Sequence, residues 1–302
     1  MRFFVVLGLV GFLAVGLGAG CSPGLAAAEK KGAGTSKKKA PKVQVVRAID
    51  HPFGKWCLGY AGLDVDERWA VDALLRVAGS RECDRAVTVL SRLKVLDLSG
   101  TGVVELGPVG ELGQLEGVVL SRNGVINLGP IGRLKGLRSL VVRGSRVRDL
   151  SPLKGLGELR SIVLEDSRVE DLSPLSGLKK LGSLSVAGNF GVRDISAVAG
   201  MGELTSLNVS RTRVEDLSPL GGLQFFSELR ADESQVRSVR PILGLMGLEV
   251  LTLSRSRVDE AAVRDFGTFV NLKRLEVLGI PLKVNPCPLP MRSGGVCLFH
   301  QK

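Results

Sequence analysis

Apolar positions return along this chain with a long period. From Leu93 onward a large apolar residue recurs at Leu115, Leu137, Leu159, Leu181, Leu204, Phe226, Leu248 and Leu272, at steps of 22 residues broken by one of 23 and one of 24. Each begins a phrase in which apolar residues alternate with small or polar ones, as in Leu137-Arg138-Ser139-Leu140-Val141-Val142. Alternation of that kind predicts a short half-buried strand. A valine and a leucine follow, and then Ser-Pro-Leu turns the chain, as in Val169 to Leu175. This predicts a single 3₁₀-like turn, with Ser151, Ser173 and Ser218 as caps and Pro152, Pro174 and Pro219 at the first helical position. Pro108, Pro130 and Pro241 occupy the same slot without the serine.

These units resemble leucine-rich repeats, close to the 22-residue internalin type. The resemblance spans Leu93 to about Leu282. It implies an α/β solenoid, a curved array of coils with short parallel strands on the concave face and one shared core. One family position departs. Only Asn123 and Asn189 keep the asparagine after the strand, and Thr101, Ser145, Ser167, Thr212, Ser234 and Ser256 replace it. Hydroxyls can still bond loop backbone, with fewer donors. The 23-residue unit holds its extra residue around Asn189-Phe190-Gly191, which predicts a bulge with Phe190 near the surface.

A solenoid exposes its core at both ends and needs covers there. Residues 43–92 are expected to form a helical N-terminal cap, 93–282 the repeat domain, and 283–302 a loop-rich C-terminal cap. In the first cap, helices are predicted over about Asp66–Ala78, with Trp69, Ala73, Leu74 and Val77 on one side, and about Glu82–Leu90. Cys57, Cys83, Cys287 and Cys297 allow three pairings. Nine stacked strands would separate the caps by roughly 40 Å at about 5 Å each, and a disulfide tolerates a Cα separation of only about 7 Å. Each cap is therefore expected to close on itself, Cys57 with Cys83 and Cys287 with Cys297.

Residues 1–20 have the form of a signal peptide, with Arg2 ahead of an uncharged apolar run. Gly18-Ala19-Gly20-Cys21 resembles a lipobox, although its leucine, Leu17, sits one place early. That resemblance implies lipidation of Cys21, with the following Ser22 directing a Gram-negative lipoprotein to the outer membrane. Plain secretion, with cleavage after Ala26-Ala27-Ala28, is the other outcome. Residues 21–42 are mostly Gly, Ala, Ser and Lys, the composition of a flexible tether. Much of the net charge of +11 lies in its lysines, which could meet anionic headgroups. The remaining body is mildly basic and carries no motif for reading nucleic acid, so none is expected as partner.

No catalytic set emerges. His51 and His300 are the only histidines, and each stands apart from any nucleophile. Asp149, Asp171, Asp194 and Asp216 recur in one slot, as a structural ladder would. No metal or cofactor is expected. The outward strand positions can be read from the register. One row is Val95, Gly117, Ser139, Ser161, Ser183, Ser206, Glu228, Val250 and Arg274. The next is Asp97, Val119, Val141, Val163, Ser185, Asn208, Arg230, Thr252 and Glu276. The third is Ser99, Ser121, Arg143, Glu165, Ala187, Ser210, Asp232, Ser254 and Leu278. Arg146, Arg168, Arg213 and Arg257 share one further position, a cationic edge suited to acidic glycan, lipopolysaccharide or acidic protein. Alternatively they pair with Asp149, Asp171 and Asp216, weakly if exposed.

The expected function is a non-catalytic binding module of the cell envelope. It would be an exported monomer, held at the membrane by its N-terminal lipid and binding an unidentified protein or acidic glycan. An envelope scaffold is one alternative, and a cytosolic regulatory subunit that embraces a phosphatase is another.

Overall fold

The computed structural model describes residues 45–283, 285–287 and 295–301, without the side chains of His300 and Gln301. The signal segment, Cys21 and the tether lie outside the described residues.

Three helices come first: α1 (Pro52–Leu58), α2 (Val65–Ala78) and α3 (Cys83–Leu90). The sequence did not predict α1. It starts because Nδ1 of His51 accepts from the Phe53 N–H at 3.1 Å, with Pro52 in the first turn. In α2, Asp64 and Glu67 form a reciprocal capping box, and Gly79 ends the helix at φ 65°. The face of α2 differs from expectation. Ala70, Val71, Ala73 and Leu74 point inward, while Trp69 and Val77 lie on its flank, partly exposed. Trp69 has a different task, donating its indole N–H to the Thr101 carbonyl at 2.6 Å and so clamping the cap to the first coil. Trp56 lies over Gly107, where an added Cβ would sit 2.8 Å from the indole. The Cys57–Cys83 disulfide ties α1 to α3.

Ten parallel strands follow, stacked strictly in chain order. They are β1 (Val95–Asp97), β2 (Gly117–Val119), β3 (Ser139–Arg143), β4 (Ser161–Glu165), β5 (Ser183–Ser185), β6 (Ser206–Asn208), β7 (Glu228–Arg230), β8 (Val250–Thr252), β9 (Arg274–Leu282) and β10 (Val296–Gln301). The register is unbroken from Val95 opposite Gly117 to Val250 opposite Arg274. The extra residue in the fifth coil leaves it intact, because Ser183 still faces Ser206. The last strand corrects the expectation of a loop-rich end: β10 continues the sheet beside β9, and the Cys287–Cys297 disulfide lies in this cap. Disulfides persist in oxidising compartments. The 24-residue unit uses its length for a short helix, α4 (Glu260–Asp265), capped by Asp259.

Leu96, Leu140, Leu164, Leu184, Leu207 and Leu251 belong to one continuous core with the inner faces of all three cap helices. Burying such a side chain stabilises by about 1.5–3 kcal/mol, and each coil contributes several, which offsets the entropy of ordering it.

The Ser-Pro-Leu turns are 3₁₀ helices, but the capping differs from expectation. Ser151, Ser173 and Ser218 are the first helical residues, and the prolines come second. The cap is the aspartate two residues before. Asp149 accepts from both the backbone N–H and the hydroxyl of Ser151 at 2.8 Å. Asp171, Asp194 and Asp216 do the same for Ser173, Ser196 and Ser218. A carboxylate reaches an orphan turn N–H through a short side chain, and the bond is charge-assisted. The line of aspartates is thus spent on turns, and among the described residues it forms no ion pair with Arg146, Arg168 or Arg213.

Two asparagines bond loop backbone between coils. The amide of Asn123 donates to Leu98 O at 2.8 Å and accepts from Gly102 N at 2.9 Å. Buried Asn189 donates to Leu164 O and Val186 O and accepts from Val169 N. Thr212 and Ser234 donate only within their own coil, to Val209 and Ala231, while Thr101 donates to Leu98 and, at 3.5 Å, to Asn123 of the next coil. The hydroxyl of Ser256 is buried without a partner.

Candidate concave binding face

The first two outward rows, two residues apart along each strand, align across the sheet, and Arg143 of the third stands opposite Glu165; Gly117, Ser185, Ala187 and Thr252, expected to face outward, are buried. Ser139, Ser161, Ser183 and Ser206 stand side by side in consecutive strands. All four are half-exposed, and among the described residues their hydroxyls have no partner within the fold. Neighbouring strands are about 4.8 Å apart, so the four form a hydroxyl row about 14 Å long. Beside it run Val119, Val141 and Val163, also half-exposed. One strip of the face is therefore apolar, and the strip beside it is a set of unfilled donors and acceptors.

The charged residues of this face are engaged with one another. Arg143 pairs with Glu165 at 2.9 Å, and the other oxygen of Glu165 accepts from Ser185 at 2.6 Å. Glu228 pairs with Arg230 at 2.6 Å. Asp232 accepts from Thr252 Oγ1 at 2.5 Å and from Ser254 N at 2.8 Å. Asn208 turns back to accept from Ser210 N at 3.0 Å. Of the residues predicted to bind, the serines offer unfilled hydrogen-bonding groups and the valines apolar surface, whereas Arg143, Glu165, Asn208, Glu228, Arg230 and Asp232 are pre-organised by internal bonds.

Just beyond the strands, Arg122, Arg211 and Arg255 share one repeat position, as the period places them, but the left-handed conformation of that rim was not legible in the sequence. In every coil the residue immediately after the third row has positive φ. The occupants are Gly100, Arg122, Gly144, Asp166, Gly188, Arg211, Glu233, Arg255 and Gly279. Five are charged side chains held near φ 50–56°, a conformation that costs a non-glycine residue about 1 kcal/mol or more. The ladder offsets this. The N–H of Arg122 donates to Arg143 O at 2.7 Å, and that of Arg211 to Asp232 O at 2.7 Å. The left-handed turn throws these side chains outward along one line. There Arg211 pairs with Asp166 at 2.6 Å and Arg255 with Glu233 at 3.2 Å.

Farther round the edge, Arg146, Arg168, Arg213 and Arg257 are all exposed. Among the described residues none of the four has an ion-pair partner, and neither do Arg122 and Arg193. Arg193 joins Arg213 and Arg257 around one open depression of about 590 Å³, a membership that sequence spacing did not give. His51 lies in the cap, away from this face. Among the described residues no three His, Cys, Asp or Glu side chains converge as metal ligands, and no helix is long and apolar enough to cross a membrane.

Neither a family model nor a curated protein matches the sequence. Solved structures do. Internalin C2 of Listeria monocytogenes superposes with a TM-score of 0.61 at 24% identity, over 69% of this chain and 92% of that one. A plant peptide hormone receptor, RGFR1 in complex with RGF2, gives a TM-score of 0.54 at 20% identity. That match covers 64% of this chain and 33% of the receptor. With the unbroken register and the shared core, these likenesses make the chain a leucine-rich-repeat protein similar in fold to the listerial internalin.

Proposed function

We propose that this protein is a non-catalytic binding module of the cell envelope, and that it holds a protein partner on its concave face. The observation that carries this is the row of unpartnered hydroxyls at Ser139, Ser161, Ser183 and Ser206 beside the valine strip. Folding leaves those groups unsatisfied in a concavity, where a second chain can supply both bonds and apolar contact. The paired charges at Arg143–Glu165 and Glu228–Arg230 set orientation and reject mismatched partners. The receptor of the same fold was solved with a peptide, which supports a peptide or protein as ligand.

The two disulfides support folding outside the cytosol. On this reading Cys21 carries the lipid, residues 21–42 are the tether, and the protein sits at the outer membrane. Metabolic labelling with a fatty acid, comparing wild type with Cys21→Ser, checks the anchor: label in the wild type alone is expected. The concave face is checked by a photo-crosslinking residue placed at Ser161 or, as control, at Lys154 on the opposite side. Protein adducts in the envelope are expected from position 161 only. Equal adducts at both positions, or none at 161, would sink the concave assignment.

A further inference from the structure

Six arginines along one edge are left over when every internal ion pair has formed. Two open depressions lie there, of about 790 Å³ and about 590 Å³. The first is bordered by Arg122, Arg146 and Arg168 together with Asp166. The second is bordered by Arg193, Arg213 and Arg257 with Gln235, Glu215 and Asp216.

The carboxylates in both are already occupied. Asp166 holds Arg211 at 2.6 Å, Glu215 holds Arg237 at 3.3 Å, and Asp216 caps the Ser218 turn. The six guanidiniums have no such partner among the described residues. Glu170 also stands in this stretch, beside Gly191, and is far outnumbered. Unpaired guanidiniums in rows attract anions and can grip carboxylate or sulfate bidentately.

Between the two depressions the row is interrupted by the inserted residue of the fifth coil. Phe190 projects there, 64% exposed. An aromatic face flanked on both sides by guanidinium groups matches a ligand that is itself alternately apolar and anionic. The ring of a uronic acid has both characters, with C–H bonds on its face and a carboxylate at its rim.

Spacing points the same way. Arg146 and Arg168 are one coil apart and Arg213 and Arg257 two, so the cations repeat at about 5 and 10 Å. A linear polysaccharide advances by about one coil spacing per sugar. An extended peptide instead presents side chains of one face every ~6.6 Å, which falls out of step.

We propose that this edge binds a linear acidic polysaccharide, with Phe190 stacking on a sugar ring and the arginines on either side holding its carboxylates. The site is separate from the concave face and does not depend on what that face binds.

The probes are oligogalacturonate, a neutral maltooligosaccharide and poly-glutamate, each titrated into the purified chain. Oligogalacturonate is expected to bind, salt-sensitively, with the other two at least about tenfold weaker. The triple variant R193Q/R213Q/R257Q is expected to lose about tenfold or more in affinity, as charge-assisted bonds of this number imply. Phe190→Ala should weaken oligogalacturonate binding severalfold. The concave variant Ser161→Arg should leave it unchanged, which separates this site from the other. Unfolding midpoints of all variants should match wild type, since none of these side chains supports the fold. Undiminished affinity in the triple variant, or poly-glutamate binding as tightly as the uronate, overturns the proposal. So does a maltooligosaccharide that binds equally well.

Discussion

Asn189 shows how much one side chain can carry at a junction between coils. It is fully buried and satisfies Leu164 O, Val186 O and Val169 N at once. Asn189→Ala would leave that backbone unpaired away from water, costing about 3 kcal/mol. Ser256 sits at the equivalent position with its hydroxyl buried and unpartnered. Ser256→Ala would remove a desolvated polar group and should gain about 1 kcal/mol. Urea denaturation of both variants checks the pair. A loss at Ser256 as large as at Asn189 would contradict the assignment. The repeat position of both residues was legible in the sequence, but which hydroxyl would find a partner was not. The left-handed rim was also hidden. Glycine marks the slot at Gly100, Gly144 and Gly188, but Arg122, Asp166, Arg211, Glu233 and Arg255 give no such signal. Their strain is sustained by ladder bonds that exist only once the neighbouring coil is in place.

At the scale of the element, the short turns and helices depend on side chains that reach backward or forward by two residues. The Asp-x-Ser-Pro turns were legible as turns, yet the roles within them were exchanged. Serine and aspartate both cap, and only geometry shows that the carboxylate takes the N–H. Helix α1 was missed for a related reason, because histidine is an uncommon cap and a proline follows it. That cap requires a neutral imidazole, since Nδ1 is the acceptor. Burial pushes the His51 pKa below its usual value, with Glu111 opposing. A pKa depressed in the folded state means stability that is full above the unfolded value and falls as pH drops through the folded one. The unfolding temperature of the wild type should therefore fall as pH drops below about 6.5. His51→Asn keeps a good cap without that titration and should flatten this part of the profile. An unchanged slope in the variant would assign the effect elsewhere.

The whole molecule is a stack in which contacts run mainly between adjacent coils, with the Arg211–Asp166 pair reaching across one, so disturbances should stay local. This level was the most legible. A strict period, aligned by sheet pairing, converts sequence position directly into spatial rows, and the first two rows align in the expected register, although Gly117, Ser185 and Thr252 within them are buried. The cysteine pairs followed from the same geometry, since the length of the stack forbids bridging between its ends. The tenth strand was not legible, because Val296 to Gln301 lies beyond the periodic segment and repeats none of its phrase. Replacing Cys57 and Cys83 with alanine frees a loop spanning 26 residues, which should cost about 3 kcal/mol. Hydrogen exchange should then quicken in the cap and in β1 and β2, while β7 and β8 keep their protection. Uniform quickening along the chain would mean that the stack opens as one unit.

The supernumerary residue of the fifth coil has an implication for engineering. It enters after the strand and before Val192, and the pairing of Ser183 with Ser206 on either side of it is undisturbed. The molecule has therefore already demonstrated a port at which one residue was added with the strand register kept. A reporter peptide or a second domain spliced in between Phe190 and Gly191 would hang from the outer wall as a pendant, and the sheet beneath would not register its presence.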